Sequence, residues 1–405
     1  MKIKPFKALR PLPENAKAVS SPPYDVLDSA EARGMAYGNP MSFLHVIKPE
    51  IDLAEGVDLY SDAVYAQAVK NFKLFQERGY LVRENAECLY LYSQTMGKHT
   101  QYGLVCCCRA DEYGSIIKKH EYTLKSKEND RTRHVSELNA NAGPVFLTYR
   151  DDQELNALLS GIKETTPLFD IDAPDGTRHN VWRISECAEL VAAFERVPFA
   201  YVADGHHRSA SAVRVARERM DANPNHTGDE EYNWFLCVLF PASELKLMSY
   251  NRCVKDLNGM DKEAFLNRLK ENFTVTEGGS PEPSAEGEAG MYLDGEWFRI
   301  SWSKPESDDP VARLGATVLQ DGLLHPILGI EDPRTSDRMK FIGGIRGTSA
   351  LEYAVDSGEY AVAFSMFPVD ILDLIAVADA DKVMPPKSTW FEPKLRSGLL
   401  VHSLD

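Results

Sequence analysis

The sequence predicts an α+β protein, and three observations support this fold class. Apolar runs of strand length, such as residues 89–94 and 101–110, are mixed with segments of helical period, such as residues 61–79. These elements do not alternate strictly, which argues against a barrel. The Asp-Gly pair at residues 294–295 lies between two short apolar stretches and is typical of a β-hairpin.

The length and charge restrict the classes of function. A chain of 405 residues is long enough for two or three domains at about 150 residues each. Asp and Glu number 61 against 45 Lys and Arg, which gives a formal net charge of -16. A protein this acidic is a poor binder of nucleic acid or of an anionic membrane, because both require a basic surface. We therefore expect a small-molecule partner.

Segments that direct a protein to a membrane or out of the cell are not evident. No apolar run approaches 18–20 residues, and the N-terminal residues contain no apolar core of a secretory signal. The seven cysteines are an odd number, three of them are adjacent, and no Cys-x-x-Cys pair occurs. This pattern does not resemble a disulfide framework. We expect a cytoplasmic protein whose cysteines are core residues.

The first part of the chain predicts the following order of elements. The helix at 61–79 places Val64, Ala68, Phe72 and Phe75 on one face and ends at Gly79. The segments that follow are predicted as two strands joined near Gly97, a third strand, a charged helix and a fourth strand: 89–94, 101–110, 115–123, 127–141 and 145–149.

Further along, helices are predicted at 151–164 and 185–196, and a buried strand at 198–205 leads directly into a helix at 209–220. The apolar segment 231–240 is predicted to be a strand, and residues 244–254 to continue the same sheet. After residue 260 a helix precedes a loop rich in Gly, Glu, Ser and Pro. We therefore expect two domains, 1–255 and 256–405, the second also α+β and packed on the first.

The segment from Asp204 to Ser209 carries the strongest functional signal. A buried strand ends, Gly205 permits an unusual turn, and a helix begins at once. The first turn of a helix presents N–H groups and the positive end of the helix dipole. His206, His207 and Arg208 add donors and charge, and Ser209 adds a hydroxyl. This combination predicts an anion cradle in which Arg208 binds a phosphate.

Two other interpretations of this segment stay open. One is a plain strand–turn–helix with surface histidines. The other is a metal site formed by Asp204, His206 and His207, to which His120 or His134 could be added. Neighbouring His side chains rarely converge on one ion, so our main interpretation assigns no metal ligand.

Motifs spread along the chain resemble a known family. The loop DGHHR, followed by a helix of small residues, resembles the phosphate loop of the ParB/sulfiredoxin-like superfamily, which includes archaeal free-serine kinases. SPPYDVL (21–27), KHEYT (119–123), KENDRTRH (127–134) and MPPKSTWFEPKL (384–395) look like landmarks of the domain of unknown function 1015 family. The resemblance implies a mixed-sheet ParB/sulfiredoxin-like core that binds the phosphates of a nucleotide, ATP or ADP with Mg²⁺.

A cluster of basic and acidic residues between 118 and 134 supplies further candidates. Glu121 or Asp130 could accept the proton of a hydroxyl, and Lys119 and Arg131 could balance the charge of a phosphate. Strand alternation would place Lys119 and Glu121 on one side and His120 on the other. The alternative is a solvated helix face that has no specific function.

Two Pro-containing segments complete the predicted site. Tyr24 and Asp25, which follow Pro22-Pro23, are candidate substrate contacts, together with His120. Lys387 and Ser388, which follow Pro385-Pro386, could contact the substrate or its phosphate. These segments could instead be a lead-in to a strand and a packed tail.

Three functions are compatible with these residues. The first is a nucleotide-dependent kinase that phosphorylates a small hydroxylated metabolite, for which free L-serine is the analogue to try first. Its expected catalytic residues are Glu121, Asp130, Asp204 and His207, and its nucleotide contacts are Gly205, His206, Arg208, Ser209, Lys119 and Arg131. The second is a partition-like nucleotide switch without catalysis. The third is a metal-dependent hydrolase.

Overall fold

The computed structural model describes residues 1–405, and the chain divides into two compact units. The first unit comprises Met1–Leu245 and Pro393–Asp405, and the second comprises Lys246–Glu392. This division differs in two places from the expected domains 1–255 and 256–405. The boundary falls before the strand that contains Arg252, and the C-terminal segment returns to the first unit.

The strands, numbered in chain order, are β1 (Ile3–Lys4), β2 (Leu9–Arg10), β3 (Val82–Arg83), β4 (Leu89–Met96), β5 (His99–Arg109), β6 (Ile117–Lys118), β7 (Ala140–Asn141), β8 (Val145–Tyr149), β9 (Phe169–Asp172), β10 (Arg178–Ile184), β11 (Ala200–Asp204), β12 (Trp234–Pro241), β13 (Lys246–Met248), β14 (Tyr250–Val254), β15 (Thr274–Glu277), β16 (Glu288–Leu293), β17 (Glu296–Ser301), β18 (Met339–Gly343), β19 (Val362–Met366), β20 (Trp390–Glu392) and β21 (His402–Ser403).

The α-helices are α1 (Ala16–Val19), α2 (Ser29–Ala36), α3 (Leu44–Ile47), α4 (Asp62–Glu77), α5 (Lys125–Leu138), α6 (Gln153–Lys163), α7 (Ala188–Glu195), α8 (His206–Ala222), α9 (Lys262–Leu269), α10 (Gly315–Leu319), α11 (Ser349–Asp356) and α12 (Ile371–Asp379). None of them is both long enough and apolar enough to cross a bilayer.

A nine-stranded mixed sheet organises the first unit. Its order is β6-β11-β8-β12-β5-β4-β10-β9, and β1 pairs with β5 beside this path. The pairs β6–β11 and β8–β12 are parallel, whereas the other pairs are antiparallel. Apolar residues of β4, β5, β8 and β12 pack against helices α6, α7 and α8 in one core. The predicted α+β class with a mixed sheet is confirmed.

The second unit contains a six-stranded sheet of order β15-β17-β16-β19-β14-β18, in which all pairs are antiparallel. Its hairpin between β16 and β17 turns at Asp294 and Gly295, both with positive φ, as the Asp-Gly pair predicts. The expectation that residues 244–254 continue the first sheet is wrong, because β14 pairs with β18 and β19 instead. The pairing of β14 with β18 and β19 therefore places this apolar segment in the core of the second unit.

The predicted strand at 115–123 is also largely absent. Only Ile117 and Lys118 pair with β11, and the chain from Lys119 to Leu124 is irregular until α5 begins. Buried apolar residues of this segment end at Ile117, and of the residues from Lys118 to Thr123 only His120 is buried, so a longer strand has little apolar surface to support it. The alternation expected for residues 119–121 therefore does not apply.

The close packing of β5 against β12 gives a stability prediction. A Cβ at Gly103 would lie 2.6 Å from Cγ1 of Val238, whereas a Cβ at Gly161 in α6 would meet no atom within 4 Å. We expect Gly103→Ala to lower the free energy of unfolding by about 1–3 kcal/mol through overpacking. Gly161→Ala should raise it by about 0.5–1 kcal/mol, because Ala is the better helix former. Chemical denaturation of both variants checks the pair, and equal shifts in one direction would contradict this packing.

Candidate functional site

The neighbours of β11 bring distant parts of the chain to one end of the sheet. Strand β6 runs parallel to β11, with Lys118 beside Tyr201, so the residues that follow both strands emerge together. Strand β8 runs antiparallel, with Phe146 beside Asp204, so the segment that precedes β8 begins at the same place. Residues 119–121, 143–144 and 204–208 consequently lie near one another.

The loop between β11 and α8 adopts the left-handed conformation that its glycine predicts. Gly205 has a φ of +93°, which L side chains rarely adopt, and its N–H donates to Oδ1 of Asp204 at 2.8 Å. Helix α8 begins at His206, and no side chain caps its first turn. The end of the helix therefore retains the donor character that anion binding requires.

Arg208 lies across this loop and is only partly satisfied by the protein. Its Nη1 donates to the carbonyl of Pro144, and its Nη2 lies 3.7 Å from Asp25 and 4.0 Å from Asp204. The side chain is 11% exposed, and its Nε is buried without a hydrogen-bond partner. An unsatisfied buried donor costs about 1–3 kcal/mol, so an anion that accepts from this Nε would be favoured.

Asp204 is held as a carboxylate by a residue that the sequence did not indicate. Burial alone would raise the pKa of Asp204, but Lys394 and Arg208 outweigh it and hold this pKa well below its usual range. Nζ of Lys394 lies 3.0 Å from Oδ2 of Asp204, and the Lys394 carbonyl accepts from Gln94 at 2.8 Å. Lys394 belongs to the 384–395 motif, in which the sequence predicts Lys387 as the contact residue.

A pocket of about 510 Å³, open to solvent, lies beside the loop and contains several of the predicted residues. Tyr24, Arg131 and Arg208 line it, together with small and aliphatic residues such as Ala142 and Val145. The guanidinium of Arg131 lies over the ring of Tyr24, at 4.1 Å from its centroid. Burial raises the pKa of Tyr24, so its hydroxyl stays protonated at neutral pH. The structure thus gathers aromatic and cationic groups at one wall.

Asp130 is not positioned as an accessible base. Its side chain is buried, accepts from the Tyr65 hydroxyl at 2.8 Å, and forms an ion pair with Arg131 at 2.7 Å. His134 from the same helix is buried as well, and its Nε2 lies 3.0 Å from the Val46 carbonyl. Burial lowers the pKa of His134 to about 3, so it is a neutral structural residue.

His120, Glu121 and His206 form a compact cluster at the start of α8. The imidazole rings of His120 and His206 lie edge to face with centroids 4.6 Å apart, and no nitrogen of either ring makes a well-aligned hydrogen bond, although the Val202 carbonyl lies close to His120. One ligand atom from each of the three residues lies within 4.8 Å of the others. His120 and Glu121 thus reach the same cluster, which the expected alternation excluded.

The electrostatics of this cluster suit a cation. Burial lowers the pKa of His120 to about 4, against the smaller opposing effects of Asp204 and the Val202 carbonyl. Burial also places the pKa of His206 well below its usual value. Two neutral imidazoles and one carboxylate are ligands that Zn²⁺, Fe²⁺ and Mn²⁺ accept. This set differs from the metal alternative of Asp204, His206 and His207.

The remaining predicted residues contribute less directly. Nε2 of His207 accepts from the Leu124 N–H at 3.0 Å, which joins α8 to the start of α5. The fully buried Ser209 hydroxyl donates to the carbonyls of His206 and Gly205. It is therefore not available as the donor to an anion that the sequence predicts. Lys119 is exposed, with Nζ 5.7 Å from the Tyr113 ring centroid.

Lys387 and Ser388 belong to the second unit, whereas the other predicted residues belong to the first. The Ser388 hydroxyl is buried and donates to the Pro385 carbonyl at 2.7 Å. Nζ of Lys387 lies 5.5 Å from the ring centroid of Tyr250. These contacts of both residues are therefore with residues of the second unit.

The buried imidazole of His120 predicts a loss of stability in acid. Its pKa of about 4 lies below the ordinary value of 6.5, so between these pH values the unfolded chain binds a proton that the folded chain does not. The stabilisation is complete above pH 6.5 and is lost as the pH falls through 4, with an upper limit of about 3 kcal/mol. We expect His120→Asn to weaken the pH dependence of the denaturation midpoint between pH 7 and 4. Parallel profiles for both proteins would contradict this.

Comparisons with known proteins give a family and distant structural likenesses. The chain resembles a conserved hypothetical protein from Pyrococcus furiosus (15% identity, TM-score 0.35, 73% of this chain and 95% of that chain). It also resembles a free serine kinase in complex with AMP (14%, 0.36, 73% and 91%) and SbnI with C-terminal truncation from Staphylococcus aureus (12%, 0.40, 74% and 87%). No curated protein matches the chain. The family model described as protein of unknown function (DUF1015) matches residues 3–317, and the chain belongs to that family.

Proposed function

We propose that this protein is a nucleotide-dependent phosphotransferase that phosphorylates a hydroxyl group of a small metabolite, with free L-serine as the first acceptor to test. The observation that carries the proposal is the buried, unpartnered Nε of Arg208 beside the uncapped first turn of α8. Both features favour a phosphate at this point, since each provides donors and positive charge.

The pocket next to Arg208 supports a nucleotide as the donor. Tyr24 and aliphatic side chains supply an apolar wall of the kind that a base and ribose require, and Arg131 adds a second cation. Asp130 holds Arg131 in place through its ion pair, which is a positioning role. An adenine nucleotide, ATP or ADP, is the ligand we propose to test, and the net charge of -16 disfavours a nucleic-acid polymer.

Glu121 is the proposed general base. It lies in the cluster with His206, the first residue of α8, and is therefore adjacent to the phosphate loop. In the proposed reaction the acceptor oxygen bonds to the terminal phosphorus, the bond from that phosphorus to the nucleotide oxygen breaks, and the hydroxyl proton passes to the Glu121 carboxylate. Arg208 and the first N–H groups of α8 stabilise the charge on the transferred group.

Asp204 is an ionised carboxylate at the loop, but its Oδ1 accepts from the Gly205 N–H and its Oδ2 pairs with Lys394, so it offers Mg²⁺ no unengaged oxygen. A Mg²⁺ ion that accompanies the nucleotide would be held by phosphate oxygens, where it would neutralise phosphate charge. Lys394 keeps Asp204 oriented at 3.0 Å and compensates its charge. The proposed set therefore contains balanced charges before the ligand arrives.

The proposal is tested by incubating the protein with ATP or ADP and a panel of amino acids and hydroxy acids, with mass spectrometry as the readout. We expect a phosphorylated hydroxyl compound. Glu121→Gln should lower turnover by about 100-fold or more while nucleotide affinity persists. Arg208→Ala should weaken nucleotide binding by about tenfold or more, because a charge-assisted contact is lost.

Arg217→Ala is the matched control, since Arg217 lies on the same helix and is exposed. It should change neither turnover nor affinity. Nucleotide binding without a product from any acceptor would overturn the transfer reaction and leave a non-catalytic switch. Unchanged affinity in Arg208→Ala would overturn the phosphate cradle itself.

A second candidate function, metal-dependent hydrolysis, is favoured by the His120–Glu121–His206 cluster. The nitrogens of its two buried rings make no well-aligned hydrogen bond, and a neutral imidazole in that state is a good metal ligand. In this case the metal would activate water, and Glu121 would serve as a ligand instead of a base.

Elemental analysis of protein prepared without a His tag tests the second candidate. We expect about one Zn²⁺, Fe²⁺ or Mn²⁺ per chain, lost in a His120→Ala, His206→Ala double variant, because two ligands of a small set are removed. His226→Ala is a matched control outside the cluster. Metal-free wild-type protein that still forms the phosphorylated product would eliminate hydrolysis as the function.

A further inference from the structure

The second unit contains a pocket at one end of its sheet, which is open to solvent and has a volume of about 700 Å³ including that open part. Strands β14 and β16 begin there, and β19 and β17 end there, because each pairs antiparallel with its neighbour. All the residues that line the pocket belong to the second unit. Its chemistry can therefore be described without reference to the first unit.

Arg252 forms part of the wall and has no acidic partner. Arg252 lies on the same face of β14 as Tyr250 and Val254, and Val254 belongs to the apolar core of the second unit. The Arg252 side chain is buried, with 3% of the residue exposed. Its one hydrogen bond goes from Nη1 to the Tyr250 carbonyl at 2.7 Å, and it forms no ion pair within 4.0 Å. Burial lowers the pKa of Arg252 to about 10, and no carboxylate offsets this effect. A buried cation without a counter-ion is costly.

A second arginine in the pocket is in a similar state. Arg313, just before α10, has a buried Nε without a hydrogen-bond partner. Its positive charge acts on Lys304 and Asp373, where it opposes in part the rise in pKa that Glu286 causes at the first and that burial and Glu286 cause at the second, so the three side chains lie in one region. Two guanidinium groups of one pocket thus retain donors that the protein does not use.

Two of the acidic residues in the pocket are already engaged. Glu286 pairs with Lys304 at 2.8 Å, and Glu288 accepts from the N–H and the hydroxyl of Ser284. Asp373, in the first turn of α12, makes no side-chain hydrogen bond or ion pair, and burial and Glu286 together raise its pKa. The pocket lining therefore contains three cations and three carboxylates, of which Arg252, Arg313 and Asp373 form no ion pair.

We propose that this pocket binds a small molecule that carries both a carboxylate and an amine, with the carboxylate at Arg252 and Arg313 and the amine at Asp373. A carboxylate suits a guanidinium because its two oxygens match two parallel N–H donors. An ammonium group would offset the unpartnered carboxylate of Asp373. The ring of Trp302 and the buried Ser388 complete the wall, and this gives Ser388 of the predicted motif a site within its own unit.

The charges that line the pocket favour a zwitterionic ligand. A phosphate would also be attracted by two arginines, but it would be repelled by Asp373, Glu286 and Glu288. A zwitterion matches both signs at once. This inference does not depend on the proposed phosphotransferase activity, because it concerns binding in another unit.

The test is a thermal-shift and calorimetric titration of the whole protein with amino acids, with the matching carboxylic acids that lack the amine, and with inorganic phosphate, without nucleotide. We expect at least one amino acid to bind and its deaminated analogue to bind more weakly. Arg252→Met should weaken that binding by about 30-fold or more, because one partner of a buried charge pair is removed. Arg208→Ala should leave it intact.

The apo variants provide a readout that a merely structural arginine would not give. Replacing an uncompensated buried charge by Met should leave the melting temperature unchanged or raise it, whereas loss of a structural ion pair would lower it. Arg268→Met, at an exposed position of α9, is the matched control, and Arg313→Gln is a second variant in the pocket.

The outcomes separate this site from the phosphate loop. Binding that is lost in Arg208→Ala but retained in Arg252→Met would assign the ligand to the first unit and overturn the proposal. Failure of every amino acid to bind, or equal binding of the deaminated analogues and phosphate, would also overturn it. Binding lost in both Arg252→Met and Arg313→Gln supports the pocket, whatever the result of the phosphotransferase assay.

Discussion

The position of β11 between a parallel and an antiparallel neighbour is the constraint on which the candidate site depends. A parallel neighbour ends where β11 ends, so β6 delivers His120 and Glu121 to the loop. An antiparallel neighbour begins there, so the segment before β8 supplies the Pro144 carbonyl that anchors Arg208. If β6 paired in the opposite direction, its following residues would emerge at the far end of the sheet. Backbone pairing alone thus determines which side chains can act together.

The sequence predicted the local features of this site and missed those that depend on distant pairing. The strand, the turn at Gly205 and the helix are encoded within a few residues, and the positive φ follows from glycine itself. The contact between Lys394 and Asp204 joins residues 190 positions apart, and no local pattern indicates it. The MPPKSTWFEPKL motif pointed to the right stretch of chain, but residue type could not distinguish Lys387 from Lys394.

The errors in the strand assignments have the same origin. Apolar content identified residues 244–254 as strand, but pairing preference between two cores is a tertiary property. The predicted strand at 115–123 extends past Lys118, whereas the observed strand ends there. As a result, alternation separated His120 from Glu121, whereas an irregular backbone brings them together. The sequence likewise does not show that Arg252 lacks an acidic partner, because this depends on which side chains the folded six-stranded sheet brings close to it.

The return of the C-terminal segment to the first unit also affects the order in which the protein can assemble. Residues 246–392 form an uninterrupted stretch, so the second unit can gather its six-stranded sheet as soon as that stretch has left the ribosome. The first unit cannot complete its fold until residues that follow the second unit have also been synthesised. Its bridges from Ser21 to Ser397 and from Leu9 to Val401, and the cation that faces Asp204, all require residues that follow the second unit in the chain. Translation therefore delivers the counter-ion of the loop only after the whole inserted unit.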